Sequence, residues 1–294
     1  MNPTQGRPAP AVRPLSRSHQ AWQVYRRSGS AMLGAMLLLV IVAATVFGPM
    51  LMNADPMEMV GAPMLPPGSE GALLGTDYLG RDLLAQIIQG GRATLTVGVV
   101  AALVSVFLGV SIGALAGYYG GWVDEALMRV IEFFQVMPTL LFAMVLVTLF
   151  GPTLWTVALA LGVASWPTTA RLARGEFLRL KRQDYVLAER MSGARNARII
   201  WRVILPNAMA PLMVSATLAI GVAVLFESGL AFLGLGDPNL MSWGLMIGNN
   251  RPYILTAWWT VTLPGAAIFL TVLAVSLVGD GLNDALNPRL RERI

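Results

Sequence analysis

Residues 184–207 read DYVLAERMSGARNARIIWRVILPN, a charged segment that lies between two long apolar runs. On both sides of it the chain continues as apolar segments that alternate with polar ones. A helix of about 20 apolar residues spans the roughly 30 Å hydrocarbon core of a membrane. The apolar segments lie near 31–52, 93–118, 133–150, 153–170, 208–226 and 257–278. The sequence therefore predicts an all-α, polytopic membrane protein with about six transmembrane helices.

Residues 184–207, which we call the elbow, carry apolar residues at helical spacing on both sides of Gly193. These positions are Leu187, Met191, Ile199, Ile200, Val203 and Ile204. Glycine suits a helix end in the left-handed conformation, and Pro206 is expected to end the second helix. We predict two short helices that meet near Gly193, the first of which exposes Glu189 and Arg190. The pattern alone fits a docking surface for a cytoplasmic partner and a simple connector equally well.

The composition supports the membrane assignment and excludes several kinds of chemistry. The chain is 55% hydrophobic and 13% charged, whereas soluble domains are about a quarter charged. It has no cysteine and one histidine, His19 in a polar stretch, so we predict no metal site and no catalytic residue. Its one lysine, Lys181, follows Leu180, so the chain has no phosphate-binding loop for ATP.

Basic residues are unevenly distributed among the polar segments. The first 30 residues hold five arginines, the segment 171–206 holds nine of the 21 lysines and arginines, and the C-terminal tail adds three. The segments 53–91 and 227–256 hold only Arg81 and Arg251. Lysine and arginine are enriched on the cytoplasmic side of membrane proteins. We therefore predict that both termini are cytoplasmic and that the net charge of +5 reflects orientation and not nucleic-acid binding.

The first apolar run, Ala31–Met52, is too long for the hydrophobic part of a signal peptide. We interpret it as a retained helix; the alternative is cleavage after Ala54. The predicted parts of the chain are a cytoplasmic tail over 1–30 with a short amphipathic helix near 22–27, a first helix with an external loop over 31–91, and a core domain over 92–294 that holds five helices and the cytoplasmic loop 171–206.

The elbow resembles the coupling loop, known as the EAA loop, of ABC importer permeases. In the peptide-transport branch this loop reads roughly E-A-A-x-x-x-G, followed about nine residues later by a segment that ends in L-P-N. This chain has Leu187 where the family usually has Glu, and Glu189 where it has the second Ala. The resemblance assigns coupling to ATPases to Ala188, Glu189, Arg190, Gly193, Ala194, Leu205, Pro206 and Asn207.

Four more stretches resemble dipeptide, oligopeptide and nickel permeases, in the same order along the chain. They are LGTDYLGRD at 74–82, AGYYGGWVD at 116–124, ESGLAFLGLG with SWG at 227–244, and GDGLNDALNPR at 279–289. The external-loop residues of the first stretch are Gly75, Thr76, Asp77, Gly80, Arg81 and Asp82. Five such matches on a matching topology make the resemblance specific, and it covers about residues 20–294.

The resemblance implies the fold of a type I ABC importer permease in a bacterial inner membrane. It implies a second, similar permease subunit, two cytoplasmic ATPase subunits that bind ATP and Mg²⁺, and an extracytoplasmic binding protein that delivers a peptide. This chain would need no cofactor of its own. Nickel, glutathione or another small solute are alternative cargoes for the same architecture. A secondary transporter working alone is disfavoured because the spans carry almost no ionisable residues, and a membrane-embedded enzyme because they lack catalytic groups.

Several residues have two readings from the sequence. Gly109, Gly113 and Gly117 form a GxxxGxxxG face that favours close helix packing, against a helix that the sequence does not identify. Glu227 is expected to be interfacial at the outer end of the fifth span; the alternative is a functional carboxylate within the membrane. Asp77, Arg81 and Asp82 either line an external entry or pair with one another to staple the loop. Three prolines lie within or at the ends of spans, where each can bend its helix, and the sequence does not decide whether such a bend has a function: Pro138, Pro167 and Pro264.

Overall fold

The computed structural model describes residues 17–52 and 55–286, with side chains from Trp22 onward. The predictions for residues 1–16, for cleavage after Ala54 and for the C-terminal arginines and the Asn287-Pro288-Arg289 end of the last motif lie outside these residues. Within them the helices are α1 Arg17–Arg27, α2 Gly29–Met52, α3 Leu83–Tyr119, α4 Gly121–Val136, α5 Thr139–Phe150, α6 Leu154–Leu180, α7 Asp184–Met191, α8 Asn196–Arg198, α9 Leu205–Phe232, α10 Trp243–Asn250 and α11 Trp259–Leu286.

Four helices in the described part of the chain are long and apolar enough to cross a membrane: α2, α3, the segment that ends in α9, and α11. The helix pair α4 and α5 passes the same test only as one unit, and it is bent by 84°. The predicted span over 133–150 is therefore not one continuous helix. Met137 and Pro138 lie between the two helices and have non-helical backbone. A proline disfavours helical backbone in the residue before it.

α6 contains the predicted span 153–170 but is not among the membrane-length helices defined by hydropathy. It packs more extensively against α3 than any other two described elements pack together. Thirteen of its residues are buried, including Trp166 and Thr169. A helix that neighbouring helices shelter from lipid can carry more polar residues than one that faces lipid. Pro167 lies within this helix and Pro264 within α11.

The glycine face of α3 packs against α6, which answers the question that the sequence leaves open. A Cβ atom on Gly109 would lie 2.6 Å from the Thr169 Cβ, and one on Gly117 would lie 2.7 Å from the Phe177 Cβ. On Gly113 it would collide with the Ala170 carbonyl oxygen. Only hydrogen fits at these three positions, so the glycines bring the two helix backbones into close contact.

α3 begins at Leu83, ten residues before the predicted second span. Asp82 caps this helix, because its carboxylate accepts a hydrogen bond from the Leu84 N–H at 3.0 Å. At 1.5 Å per residue, the 37 residues of α3 extend over about 55 Å. The helix is thus longer than a membrane is thick, and its ends reach both the loop that precedes it and the elbow.

Arg92 of α3 stabilises a break in the hydrogen bonding of α2. Pro49 lies inside α2 and cannot donate to the Thr45 carbonyl oxygen four residues earlier. The Arg92 Nε donates to that oxygen at 2.8 Å, and its Nη2 donates to the Val46 carbonyl oxygen at 2.6 Å. An arginine next to a span is therefore bound to backbone carbonyls of the neighbouring helix.

Candidate functional site

The first half of the elbow ends in a hydrogen-bonded turn around Gly193, whose φ is +76°. The N–H of Gly193 donates to the Arg190 carbonyl oxygen at 3.0 Å, and the N–H of Ala194 donates to the Glu189 carbonyl oxygen at 3.2 Å. These two bonds form the Schellman pattern, which satisfies the last carbonyl groups of a helix. The predicted left-handed glycine between two helical segments is confirmed.

The second half of the elbow runs without a break into a membrane-length helix. Residues 199–204 form a π-helical turn, and α9 begins at the next residue, so that 196–232 is one helical segment. The prediction that Pro206 ends a helix is wrong. Proline is tolerated in the first turn of a helix, where its missing N–H is not needed, and the π-helical turn places Pro206 at the start of α9.

Two neighbours of Pro206 complete this junction. The Leu205 N–H donates to the Ile200 carbonyl oxygen, five residues back, and the Asn207 side-chain amide donates to the Val203 carbonyl oxygen at 2.7 Å. The L-P-N sequence therefore closes the π-helical turn and starts α9. Of the other residues predicted to couple to the ATPases, Ala188 and Pro206 are exposed, and Ala194 and Leu205 are half-buried.

One face of the elbow is anchored and the other is open. Val186 and Ile199 are fully buried and belong to one apolar cluster with Phe177 of α6. Met191 is 89% exposed and Trp201 is 59% exposed. The large apolar side chains that the elbow exposes are Tyr185, Leu187, Met191 and Trp201.

Polar contacts connect the elbow to the end of α3. The Tyr118 hydroxyl donates to the Asn196 Oδ1 at 2.8 Å, and the Arg190 guanidinium lies 5.8 Å from the centre of the Tyr118 ring. Within the elbow, the carboxylate of Glu189 lies 4.0 Å from the Nε of Arg198. The elbow and α3 are therefore in direct contact at Tyr118.

A second set of charges joins α4 to the end of α6. The Arg174 Nη2 donates to the Asp124 Oδ2 at 2.6 Å, and this hydrogen bond raises the pKa of the Arg174 guanidinium further. The Lys181 Nζ donates to the Tyr118 carbonyl oxygen at 3.3 Å. Burial lowers the pKa of the Lys181 ammonium, and the negative charge of Asp124 opposes that shift.

The loop 55–82, which we call the α2–α3 loop, is organised around Asp77. This carboxylate is only 1% exposed. Its Oδ1 accepts from the N–H groups of Leu79 at 2.8 Å and Arg81 at 2.9 Å, and its Oδ2 accepts from Gln86 Nε2 at 2.8 Å. Thus Asp77 staples the loop through the backbone N–H of Arg81. Among the described residues, no ion pair joins Asp77, Arg81 and Asp82.

Thr76 and two glycines complete the α2–α3 loop. The buried Thr76 hydroxyl donates to the Ala62 carbonyl oxygen at 2.7 Å and accepts from the Leu65 N–H at 2.9 Å. Gly75 and Gly80 have φ of +84° and +78°. A Cβ on Gly75 would collide with the Leu65 carbonyl oxygen and one on Gly80 with the Gly61 carbonyl oxygen. The Arg81 Nη1 contacts the Met57 Sδ at 3.3 Å.

Glu227 is buried within the protein near the end of α9. Its side chain is 4% exposed in α9, and its carboxylate lies among the hydroxyls of Thr94, Ser228 and Ser242. Ser242 caps α10, which folds back onto α9 and α3. This fold-back covers the carboxylate, and the spacing of one chain segment cannot reveal it.

A concave site that the sequence analysis did not identify lies between α3, α6, α9 and the start of α5. Its volume is about 410 Å³, and small and hydroxyl-bearing residues line it. The signal in the sequence was the group Ser165, Thr168 and Thr169 within an otherwise apolar segment. That group alone could not indicate which face of α6 it shared with residues of other helices.

A bundle of membrane-length helices with an ordered, exposed elbow is the architecture of a polytopic membrane protein. The chain belongs to the family of binding-protein-dependent transport system inner membrane components, whose family model matches residues 109–292. A second family model, the N-terminal transmembrane domain of oligopeptide transport permease C, matches residues 16–67. The family predicted from the motifs is confirmed.

Relatives of similar length support the same family. The chain is 39% identical over 300 residues to the di/tripeptide transport system permease protein DppC of Pseudomonas aeruginosa, with 99% of each chain covered. It is 40% identical over 299 residues to the dipeptide transport system permease protein DppC of Bacillus subtilis, with 99% of this chain and 92% of that protein covered. Both similarities extend over nearly the whole sequence.

The fold has a counterpart among solved structures. A chain of the inward-facing MetNI methionine ABC transporter matches with a TM-score of 0.59 and 20% identity, covering 69% of this chain and 96% of that one. The predicted fold class, a type I ABC importer permease, is thereby confirmed. The chain is a permease component of a binding-protein-dependent transport system.

Proposed function

We propose that this chain is one of two permease subunits of a bacterial ABC importer for dipeptides and short oligopeptides. The other subunits would be a similar permease, two cytoplasmic ATPases that bind ATP and Mg²⁺, and an extracytoplasmic binding protein. The names of the relatives from Pseudomonas aeruginosa and Bacillus subtilis support the peptide cargo. In this proposal the chain has no catalytic residue and no cofactor, and its role is mechanical.

The observation that carries the proposal is the elbow. Its exposed apolar face, with Met191 89% exposed, is held in place by a buried face and by the turn at Gly193. An ordered apolar surface outside the spans suits a partner subunit. Because 196–232 is one helical segment, a force on the elbow would be transmitted directly to α9. ATP binding would close the ATPases, move the elbow and open the path outward, and hydrolysis would reset it.

The orientation is part of the proposal: both termini and the elbow face the cytoplasm, and the α2–α3 loop faces outward. The nine basic residues of 171–206 support this arrangement. Because the chain has no native cysteine, single cysteines report their side of the membrane without background. In intact cells, an impermeant thiol reagent should label a Glu70→Cys variant and leave a Ser192→Cys variant unlabelled. The reverse pattern would overturn the orientation.

The function is tested by reconstituting the chain with its co-encoded partner subunits in proteoliposomes. We expect ATP-dependent uptake of radiolabelled dialanine that also requires the binding protein. The chain alone should neither hydrolyse ATP nor accumulate the dipeptide. Concentrative uptake by the chain alone would indicate a secondary transporter instead. If the full complex imports nickel or glutathione and no dialanine, the proposed ABC importer stands and the proposed peptide cargo is wrong.

A further inference from the structure

The cavity between α3, α6, α9 and the first turn of α5 has an unusual lining for a site within apolar helices. Its volume of about 410 Å³ is within the range of small-molecule sites, about 300–1,000 Å³. Among the described residues that line it, none is ionisable. The hydroxyl-bearing residues of the lining are Ser105, Thr139, Ser165, Thr168, Thr169 and Ser215.

The hydroxyls of this cavity have no hydrogen-bond partner among the described residues. Ser105 is 2% exposed, and its Oγ is one of the buried polar atoms without a partner in that part of the chain. Elsewhere in the helices, the hydroxyls of Thr148, Thr217 and Thr271 donate to carbonyl oxygens of their own helix at 2.7–2.8 Å. Among the described residues, none of the six cavity hydroxyls forms such a bond. A buried hydroxyl without a partner is costly, so this lining suits a molecule that supplies the missing hydrogen bonds.

Lipid is a poor occupant of this cavity. Hydrocarbon offers no donor or acceptor, and polar groups at membrane depth are tolerated where they line a water-filled space or are buried in protein. The lining also includes exposed apolar residues, Leu218 and Val222 of α9. A lining that combines apolar residues with unpaired hydroxyls is suited to a passage through which a polar solute moves.

We infer that this cavity is the section of the solute path contributed by this chain, and that its hydroxyls bind the amide groups of a passing peptide. The choice of a peptide as ligand rests on the proposed function. Each peptide unit offers one N–H donor and one carbonyl acceptor, and a hydroxyl can serve both. Because the lining on this side carries no charge, the cavity contacts the backbone of the peptide without discriminating among charged side chains.

The first test asks whether the cavity is accessible from water. Ser165→Cys and Ser215→Cys are near-isosteric changes, and Thr148→Cys, on the exposed face of α5 outside the cavity, is the matched control. In the reconstituted complex we expect a hydrophilic, cationic methanethiosulfonate to modify the two cavity thiols at least tenfold faster than the control. Dialanine, supplied with the binding protein, should slow that modification. Equal rates for all three thiols would overturn the inference.

The second test measures whether the cavity hydroxyls recognise the backbone of the peptide. A Thr168→Val, Ser215→Ala double variant should lower uptake of dialanine, lysylalanine and glutamylalanine by one common factor, about tenfold, with normal assembly and ATP hydrolysis. Thr148→Val should have no effect. A Ser215→Asp variant should import lysylalanine at least tenfold faster than glutamylalanine. If the double variant imports peptides normally, the inference about the cavity is wrong and the proposed function stands. If the cavity thiols react but the wild-type complex imports no peptide, the proposed cargo is wrong.

Discussion

The elbow and the α2–α3 loop both depend on glycines with positive φ, and their surroundings are opposite. A Cβ on Gly193 in the elbow would have no atom of the described residues within 4 Å. A Cβ on Gly75 or Gly80 in the α2–α3 loop would collide with a backbone carbonyl oxygen of the same loop. The first glycine sets the direction of a surface that is left open, and the other two let backbone pack against backbone. Motifs of equal clarity in sequence thus border an open surface in one region and fix backbone packing in the other.

The carboxylates of the two regions differ in the same way. Asp77 of the α2–α3 loop is 1% exposed and accepts hydrogen bonds from three N–H donors. Glu189 of the elbow has a side chain that is 37% exposed and one ion pair, with Arg198 at 4.0 Å. Substitutions in the α2–α3 loop should therefore lower the free energy of unfolding, whereas those in the elbow should mainly change coupling to the ATPases.

The largest loss of stability is expected for Gly80→Ala. The left-handed conformation costs an L-residue about 1–2 kcal/mol, and the collision with the Gly61 carbonyl adds to it, so we expect a total of about 3 kcal/mol or more. Gly68→Ala is the matched control, because its φ is +85° and no atom lies within 4 Å of the added Cβ. Thermal unfolding in detergent measures both. Equal destabilisation of the two variants would refute the role of the collision.

The next largest loss is expected for Asp77→Asn. The amide would place a donor against either the Gln86 amide or the two backbone N–H groups, and hydrogen bonds to a charged group contribute about 1.5–3 kcal/mol. We expect the free energy of unfolding to fall by about 2 kcal/mol, within that range. The exposed Glu70→Gln variant should change it by less than about 0.5 kcal/mol. Unchanged stability of Asp77→Asn would show that the α2–α3 loop is not stapled by this carboxylate.

Gly193→Val should separate stability from coupling. The strain of a β-branched residue at positive φ costs about 2 kcal/mol with no collision added, so assembly with the second permease should survive. The misdirected elbow should abolish the stimulation of ATP hydrolysis by loaded binding protein. Gly193→Asn, which tolerates the left-handed conformation, should retain most of it. Normal stimulation in the valine variant would reduce the elbow to a connector.

The smallest change in stability is expected for Glu189→Gln, which removes one exposed ion pair worth less than about 1 kcal/mol. Glu189→Arg should be similar in stability, yet it reverses the charge at one position of the proposed docking surface and should weaken co-purification with the ATPases. Comparing the two variants in thermal unfolding and in co-purification separates these effects. If Glu189→Arg binds the ATPases as well as the wild type does, Glu189 lies outside their contact surface.

The sequence by itself determined the fold class, the family and most of the polar segments. The apolar runs were long enough to predict helices, because span length and charge are properties of one segment. The left-handed glycine of the elbow followed from local helix-end chemistry, and Gly193 has the predicted φ. The five motifs, which occur in the family's order along the chain, were sufficient to identify the family that the family model confirms.

Tertiary structure alone decided features in which distant segments meet. The continuity of the elbow with α9 departed from the sequence prediction, and the 84° bend at Pro138 and the burial of Glu227 beneath α10 could not be derived from local sequence. The partner of the Gly109–Gly117 face and the cavity lined by hydroxyls had no prediction at all. A proline ends or starts a helix, and a polar residue faces lipid, water or a neighbouring helix, according to contacts with residues far away in the chain. Those contacts are set by packing, which local spacing does not specify.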